Sequence, residues 1–148
     1  MRGRNHKILV NPQLCRDCQT CVLACSLYHE NVCSLSLARL QIIKDMEIYE
    51  FNILICRHCD QPECVLACPC NAIQVNKQGV ILIMAEDCNQ CGLCALNCPY
   101  EAIFYCEVSG KYNKCDLCAN RLGGPLCVEL CPVKAITLNI ETASARRD

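Results

Sequence analysis

A four-cysteine word, written four times along the chain, constrains the fold more than any other feature of the sequence. The first copy is Cys15, Cys18, Cys21 and Cys25, spaced CxxCxxCxxxC. The second is Cys56, Cys59, Cys64 and Cys68, with a four-residue middle gap and Pro69 behind it. The third, Cys88, Cys91, Cys94 and Cys98, returns to CxxCxxCxxxC and is followed by Pro99. The fourth, Cys115, Cys118, Cys127 and Cys131, widens the middle gap to eight residues and precedes Pro132. Sixteen of the 19 cysteines in 148 residues thereby belong to one repeat, and a recurring word marks a recurring structural unit.

Cysteine at such density serves a disulfide scaffold, a zinc site or an iron–sulfur site. The start Met1-Arg2-Gly3-Arg4-Asn5-His6-Lys7 leads only into Ile8-Leu9-Val10, too short for the apolar region of a secretory signal. The longest apolar stretches, such as Val80-Ile81-Leu82-Ile83-Met84-Ala85, fall far below the roughly 18 residues of a membrane helix. These features read as a soluble protein in a reducing compartment, the cytoplasm, where dense CxxC patterns bind metal. The odd cysteine count also argues against complete disulfide pairing. A formal net charge of −1 leaves no broad basic footprint for nucleic acid, and Arg2, Arg4, Lys7 and Arg146-Arg147 read as solvated ends. With no Trp, two Phe and five Tyr, large anchors for a conventional core are scarce.

The spacing selects among the three chemistries. Zinc sites close tetrahedrally on two CxxC pairs, which repeated cysteine triplets ended by proline do not suit. Three thiolates two residues apart instead wrap a tight loop over three iron corners of one cubane, and backbone N–H groups in such a loop point at its sulfurs. The next residues make about one helical turn, which carries the fourth cysteine round to a neighbouring cubane, and proline stops the turn. The run CxxCxxCxxxCP is the known bacterial ferredoxin spacing, in which the fourth cysteine serves the other cluster. All sixteen word cysteines are therefore candidate ligands, and four 4Fe–4S clusters are expected.

Strand signals follow three of the words in the form CPxxAI: Ala72-Ile73-Gln74-Val75, Ala102-Ile103-Phe104-Tyr105 and Ala135-Ile136-Thr137-Leu138. The first runs through the turn Asn76-Lys77-Gln78-Gly79 into Val80-Ile81-Leu82-Ile83, a hairpin between words two and three. Residues 40–55 read as a further strand pair. The fold class is thus α+β, two nested bacterial-ferredoxin-like two-cluster modules with short helices and β-hairpins: an inner module at 52–105, and an outer one made of 1–51 plus 106–148. Nesting pairs word two with three and word one with four. Cys131 then joins Cys15, Cys18 and Cys21, Cys25 joins Cys115, Cys118 and Cys127, Cys98 joins Cys56, Cys59 and Cys64, and Cys68 joins Cys88, Cys91 and Cys94. The rival pairing, one with two and three with four, must cross the 40–55 strand pair, against the preference for short connections.

Three runs carry a resemblance: Cys56-Arg57-His58-Cys59-Asp60-Gln61-Pro62-Glu63-Cys64 with Cys68-Pro69, Cys94-Ala95-Leu96-Asn97-Cys98-Pro99-Tyr100, and Lys114-Cys115-Asp116-Leu117-Cys118. The sequence resembles the four-cluster iron–sulfur subunits of molybdenum and tungsten oxidoreductases. Within that group Cys25-Ser26-Leu27-Tyr28-His29-Glu30 and Ser36-Leu37-Ala38-Arg39-Leu40 look like the small subunits of tungsten aldehyde oxidoreductase complexes and of carbon monoxide dehydrogenase systems. The resemblance implies an electron-transfer subunit between a catalytic subunit of the tungsten or molybdenum pterin type and a redox carrier protein or flavin subunit. A free-standing polyferredoxin shuttle and a carbon monoxide dehydrogenase-associated ferredoxin are the alternatives. The sequence holds no catalytic triad, phosphate loop or nucleotide fingerprint, so chemistry on a substrate is expected elsewhere.

Cys33, Cys70 and Cys106 follow no ligand spacing and read as small buried hydrophobes, with a redox role for Cys70 as the sharper alternative. No word lacks a cysteine, so His29 and His58 read as packing or supporting residues and His6 as part of a tail. Lys111, Lys114, Arg57 and Arg121 lie beside ligands, where each either solvates at the surface or offsets cluster charge.

Overall fold

A computed structural model describes residues 5–141. Proline and hydrogen bonding decide the lengths of its helices. Where a word ends in Cys-Pro the helix is one turn, at α2 (Glu63–Ala67), α3 (Leu93–Asn97) and α4 (Leu126–Leu130). Pro69, Pro99 and Pro132 lack the N–H that a further turn needs. Word one has Ser26 in place of that proline. Its helix α1 therefore runs over Thr20–Glu30 and stops only at Asn31, in the left-handed conformation at φ 58°.

The strands are β1 (Asn5–Val10), β2 (Gln41–Asp45), β3 (Glu50–Leu54), β4 (Ile73–Val75), β5 (Ile81–Ile83), β6 (Phe104–Cys106), β7 (Lys111–Asn113) and β8 (Ile136–Glu141). They form four antiparallel two-stranded sheets, β1 with β8, β2 with β3, β4 with β5, and β6 with β7. The expected hairpin after word two is β4–β5, with Ile73 opposite Ile83. Its turn is held by Asn76, whose Oδ1 accepts the N–H groups of Gln78 and Val80 at 2.9 Å each, and by Gly79 at φ 80°. The expected pair in 40–55 is β2–β3. The strand after word four pairs with the start of the chain, Ile8 facing Leu138 and Val10 facing Ile136. His6 is consequently not in a tail: it lies in β1, with Nδ1 3.2 Å from the Gln78 carbonyl oxygen. The limits 52 and 105 fall inside or beside β3 and β6, whose partners β2 and β7 lie outside them.

Helix α1 packs on α4 and α2 on α3. One core joins Ile8, Leu40, Ile53, Ile55 and Ile136 to buried cysteines of words one and four and to Cys56 of word two, and a smaller one joins Ile73, Ile81 and Ile103 to Cys64 and Cys94. Both cores are built around thiols. No helix among the described residues is long and apolar enough to cross a membrane.

Candidate metal centres

Each word begins with a tight left-handed loop, which in three of the four turns an amide onto the word's own sulfur. The residue just before the second cysteine is left-handed in all four words: Asp17 at φ 55°, His58 at 53°, Gln90 at 62° and Leu117 at 57°. For a non-glycine residue this costs on the order of 1–3 kcal/mol and persists where the surroundings impose it. In three words the same residue donates its N–H to the first cysteine, Asp17 to Cys15 Sγ at 3.5 Å, His58 to Cys56 Sγ at 3.4 Å and Leu117 to Cys115 Sγ at 3.4 Å.

The fourth cysteine has a second device. In CPxxA the residue before the alanine is left-handed, Asn71 at φ 54°, Glu101 at 50° and Lys134 at 56°. The alanine N–H then points back at sulfur: Ala72 to Cys68 at 3.2 Å, Ala102 to Cys98 at 3.5 Å and Ala135 to Cys131 at 3.3 Å. Word one lacks the proline turn, and Cys25 Sγ receives the N–H of Arg39 instead, at 3.3 Å. These amide donors were not recognised from the sequence, although the recurrence of CPxxA in three words was the signal for them.

The thiols of different words come together in a regular way. Burial pushes the Cys21 thiol up to about 12, and after the Val22 amide, which lowers it, its charged neighbours are Cys15, Cys18 and Cys131. Cys127 is likewise raised, first by burial and then by Cys115, Cys25 and Cys118. Burial raises Cys64 to about 11, and Cys56 and Cys98 add to it. Cys94 is raised by burial, with Cys88 and Cys68 adding to it. Cys56, Cys59, Cys64 and Cys98 also line one cavity together with Lys114 and Tyr100. Cys18 and Cys91 are exposed, while Cys59, Cys68, Cys88 and Cys98 are half-buried and the other ten word cysteines are buried.

This donor set suits an anionic metal centre. Buried thiols resist ionisation, so they become thiolates when iron replaces their protons, and the amides already aimed at the sulfurs stabilise that charge. At Cys131 the donors prevail: burial raises the thiol, but the amides of Ile136, Ala135, Val133 and Lys134 together bring it below its ordinary value. Among the described residues no disulfide competes for these sulfurs.

Around the thiols the polar residues sort by burial. His58 is 2% exposed, and its Nδ1 accepts the Ile81 N–H at 3.1 Å. Burial, with Lys114 and His6 adding to it, brings His58 down to about 3, so the ring is neutral and packs. His29 Nε2 is 4.0 Å from Cys118 Sγ and 3.4 Å from Asp116, which Arg39 also meets at 3.2 Å. Arg57 lies over the Tyr100 ring at 5.4 Å, Arg121 binds Glu129 at 2.6 Å, and Lys111 is exposed. Of the surplus cysteines, Cys106 is buried as expected, but Cys33 is exposed, because it lies in the loop that follows the capped end of α1. Cys70 is half-buried, with Sγ 3.8 Å from Cys68 Sγ.

Thiols of different words gathered under amide donors are the donor set of an iron–sulfur protein. The chain belongs to the 4Fe–4S dicluster domain family, whose model matches residues 48–141. It is 30% identical over 142 residues to the B polypeptide of the anaerobic dimethyl sulfoxide reductase of Escherichia coli, covering 86% of this chain and 69% of that one. It is 35% identical over 127 residues to the polyferredoxin-like subunit of the aliphatic sulfonate oxidoreductase of Pyrococcus furiosus, covering 84% and 70%. Among solved structures, the active site complex BamBC of benzoyl coenzyme A reductase with 1,5-dienoyl-CoA shares the fold, with a TM-score of 0.59 at 21% identity over 98% of this chain and 84% of that one. The cofactors are accordingly 4Fe–4S clusters, and the resemblance to iron–sulfur subunits of oxidoreductase complexes holds.

Proposed function

We propose that the sixteen word cysteines ligate four 4Fe–4S clusters in a crossed pattern, within two nested modules at 52–105 and at 1–51 plus 106–148. Each cluster takes the first three cysteines of one word and the fourth of its partner: Cys15, Cys18 and Cys21 with Cys131; Cys115, Cys118 and Cys127 with Cys25; Cys56, Cys59 and Cys64 with Cys98; Cys88, Cys91 and Cys94 with Cys68. The observation that carries this reading is that Cys131, Cys25, Cys98 and Cys68 each act on the thiols of the partner word. A 4Fe–4S cluster supplies one-electron transfer.

The four sites follow one another in the order three, two, four, one. Words two and three meet through α2 and α3, Cys56 acts on Cys115 between words two and four, and Cys21 acts on Cys127 between words four and one. Cys91 at one end and Cys18 at the other reach the surface, which suits entry of electrons at one end and exit at the other. The chain serves as the electron-transfer subunit of a cytoplasmic complex. At one end stands a catalytic subunit of the tungsten or molybdenum pterin type, most closely the aldehyde oxidoreductase type, and at the other a redox carrier protein or flavin subunit.

Isolation of the native complex under anaerobic conditions tests this. About sixteen irons and sixteen sulfides per chain are expected, with tungsten or molybdenum in a copurifying larger subunit. Half that iron sinks the four-cluster reading, and a partner free of both metals sinks the assignment of the complex.

A further inference from the structure

Among the described residues Lys114 is the only buried lysine or arginine, at 3% exposure. Its Nζ donates to the carbonyl oxygens of Ile81 and Cys115, the latter at 2.8 Å. Among the described residues no carboxylate forms an ion pair with it. Moving an ammonium out of water is costly even after the protein relaxes, and two neutral carbonyls offset only part of that cost. Thiolates on the sulfurs beside it would supply negative charge to offset the remainder. Lys114 lines the cavity formed by Cys56, Cys59, Cys64 and Cys98, and it precedes Cys115 in the chain. It therefore stands between the second and fourth sulfur sets, where the sites cross from one module to the other.

We propose that Lys114 is a positioning charge that raises the reduction potentials of the clusters on the second and fourth sulfur sets above the values they would have without it, leaving those on the first and third sets unaffected. The proposal rests on the ligand sets given above. Net charge near a cluster is one of the determinants of its potential. Gaining an electron makes a thiolate-ligated site more negative, and a fixed cation in a low-dielectric interior favours that state. Lys111 is exposed on β7, and Arg57, which lines the same cavity, is only half-buried and lies over the Tyr100 ring.

Lys114 also ties the Ile81 carbonyl of β5 to the fourth word, so a test must separate charge from tethering. The full chain with its clusters, in wild-type, Lys114→Met, Lys114→Gln, Lys114→Arg and Lys111→Met forms, is titrated potentiometrically and followed by electron paramagnetic resonance. Met and Gln are expected to make reduction of two couples about tenfold less favourable, which for one electron is about 59 mV. The other two couples stay unchanged, as do all four in Lys111→Met, and Arg keeps wild-type behaviour. Unchanged couples in a fully loaded Gln variant overturn the proposal, as does an Arg variant that falls as far as Gln, or an equal shift of all four couples. If Met does not fold, Gln against Arg decides, since both retain a donor for the two carbonyls. Iron and sulfide content separates the two levels: fewer than four clusters in the wild type sinks the ligand reading, whereas four clusters with unmoved potentials sinks only the role of Lys114.

Discussion

Cys25 is set apart from the other three fourth cysteines by the residue after it. Ser26 is fully buried, donates its hydroxyl to the Leu23 carbonyl at 3.0 Å and accepts the Ser34 N–H at 2.9 Å. The loop folded over that hydroxyl brings Arg39 to the Cys25 sulfur, and Arg39 in turn reaches Asp116 of word four. A single serine in place of proline thus exchanges a local sulfur donor for one fourteen residues away. The ligand residues themselves were legible because their spacing is set by local geometry, whereas the exposure of Cys33 and the burial of Lys114 depend on how distant segments pack. Cys25→Ala is expected to disturb the site of Cys115, Cys118 and Cys127, about ninety residues away in sequence, with conversion to a three-iron species or loss of that cluster. The site of Cys15, Cys18 and Cys21 should stay intact. Electron paramagnetic resonance of Cys25→Ala beside Cys18→Ala checks this, since loss of the same signal in both means that the words do not cross.

At the scale of elements, hairpins carry local signals in the sequence, whereas the sheet that joins the two ends of the described chain carries none. Turn chemistry at Asn76 and Gly79 announces β4–β5 within eleven residues. The strand β1 carries only Ile8-Leu9-Val10 as a signal, and its partner β8 lies at the other end of the described chain, so nothing local marks the pairing. It is nevertheless the sheet that brings words one and four together, because β1 leads into Cys15 and β8 follows Cys131. Side chains alternate across it as a strand requires: Ile8 is 2% exposed and Leu9 is 50% exposed. Ile8→Ala is expected to cost about 2–5 kcal/mol by opening a cavity in the larger core. Leu9→Ala should stay within about 0.5 kcal/mol of the wild type. Urea unfolding of the cluster-loaded protein reads the difference, and equal midpoints for the two variants would show that β1 does not close the core.

For the whole molecule the question is what holds such small parts together. Helices α2, α3 and α4 are single turns, far below the length at which a helix is stable alone. Among the described residues every sheet has two strands, which is marginal in water without further packing. Among the described residues, eleven of the 26 buried apolar ones are cysteines, and none is aromatic. The core is therefore small, and in the proposed ligation iron ties word one to word four and word two to word three, closing loops that span most of the chain. Metal binding of this kind is folding free energy, since the ligand set does not exist in the unfolded chain. Stripping iron with a chelator under reducing conditions is expected to abolish amide protection in β1, β8, α1 and α4 together, because each is anchored through thiols to another. Reconstitution with iron and sulfide should restore it. Hydrogen exchange followed by mass spectrometry measures this directly, and an iron-free chain that keeps protection across β1–β8 would show that side-chain packing alone suffices to close the fold.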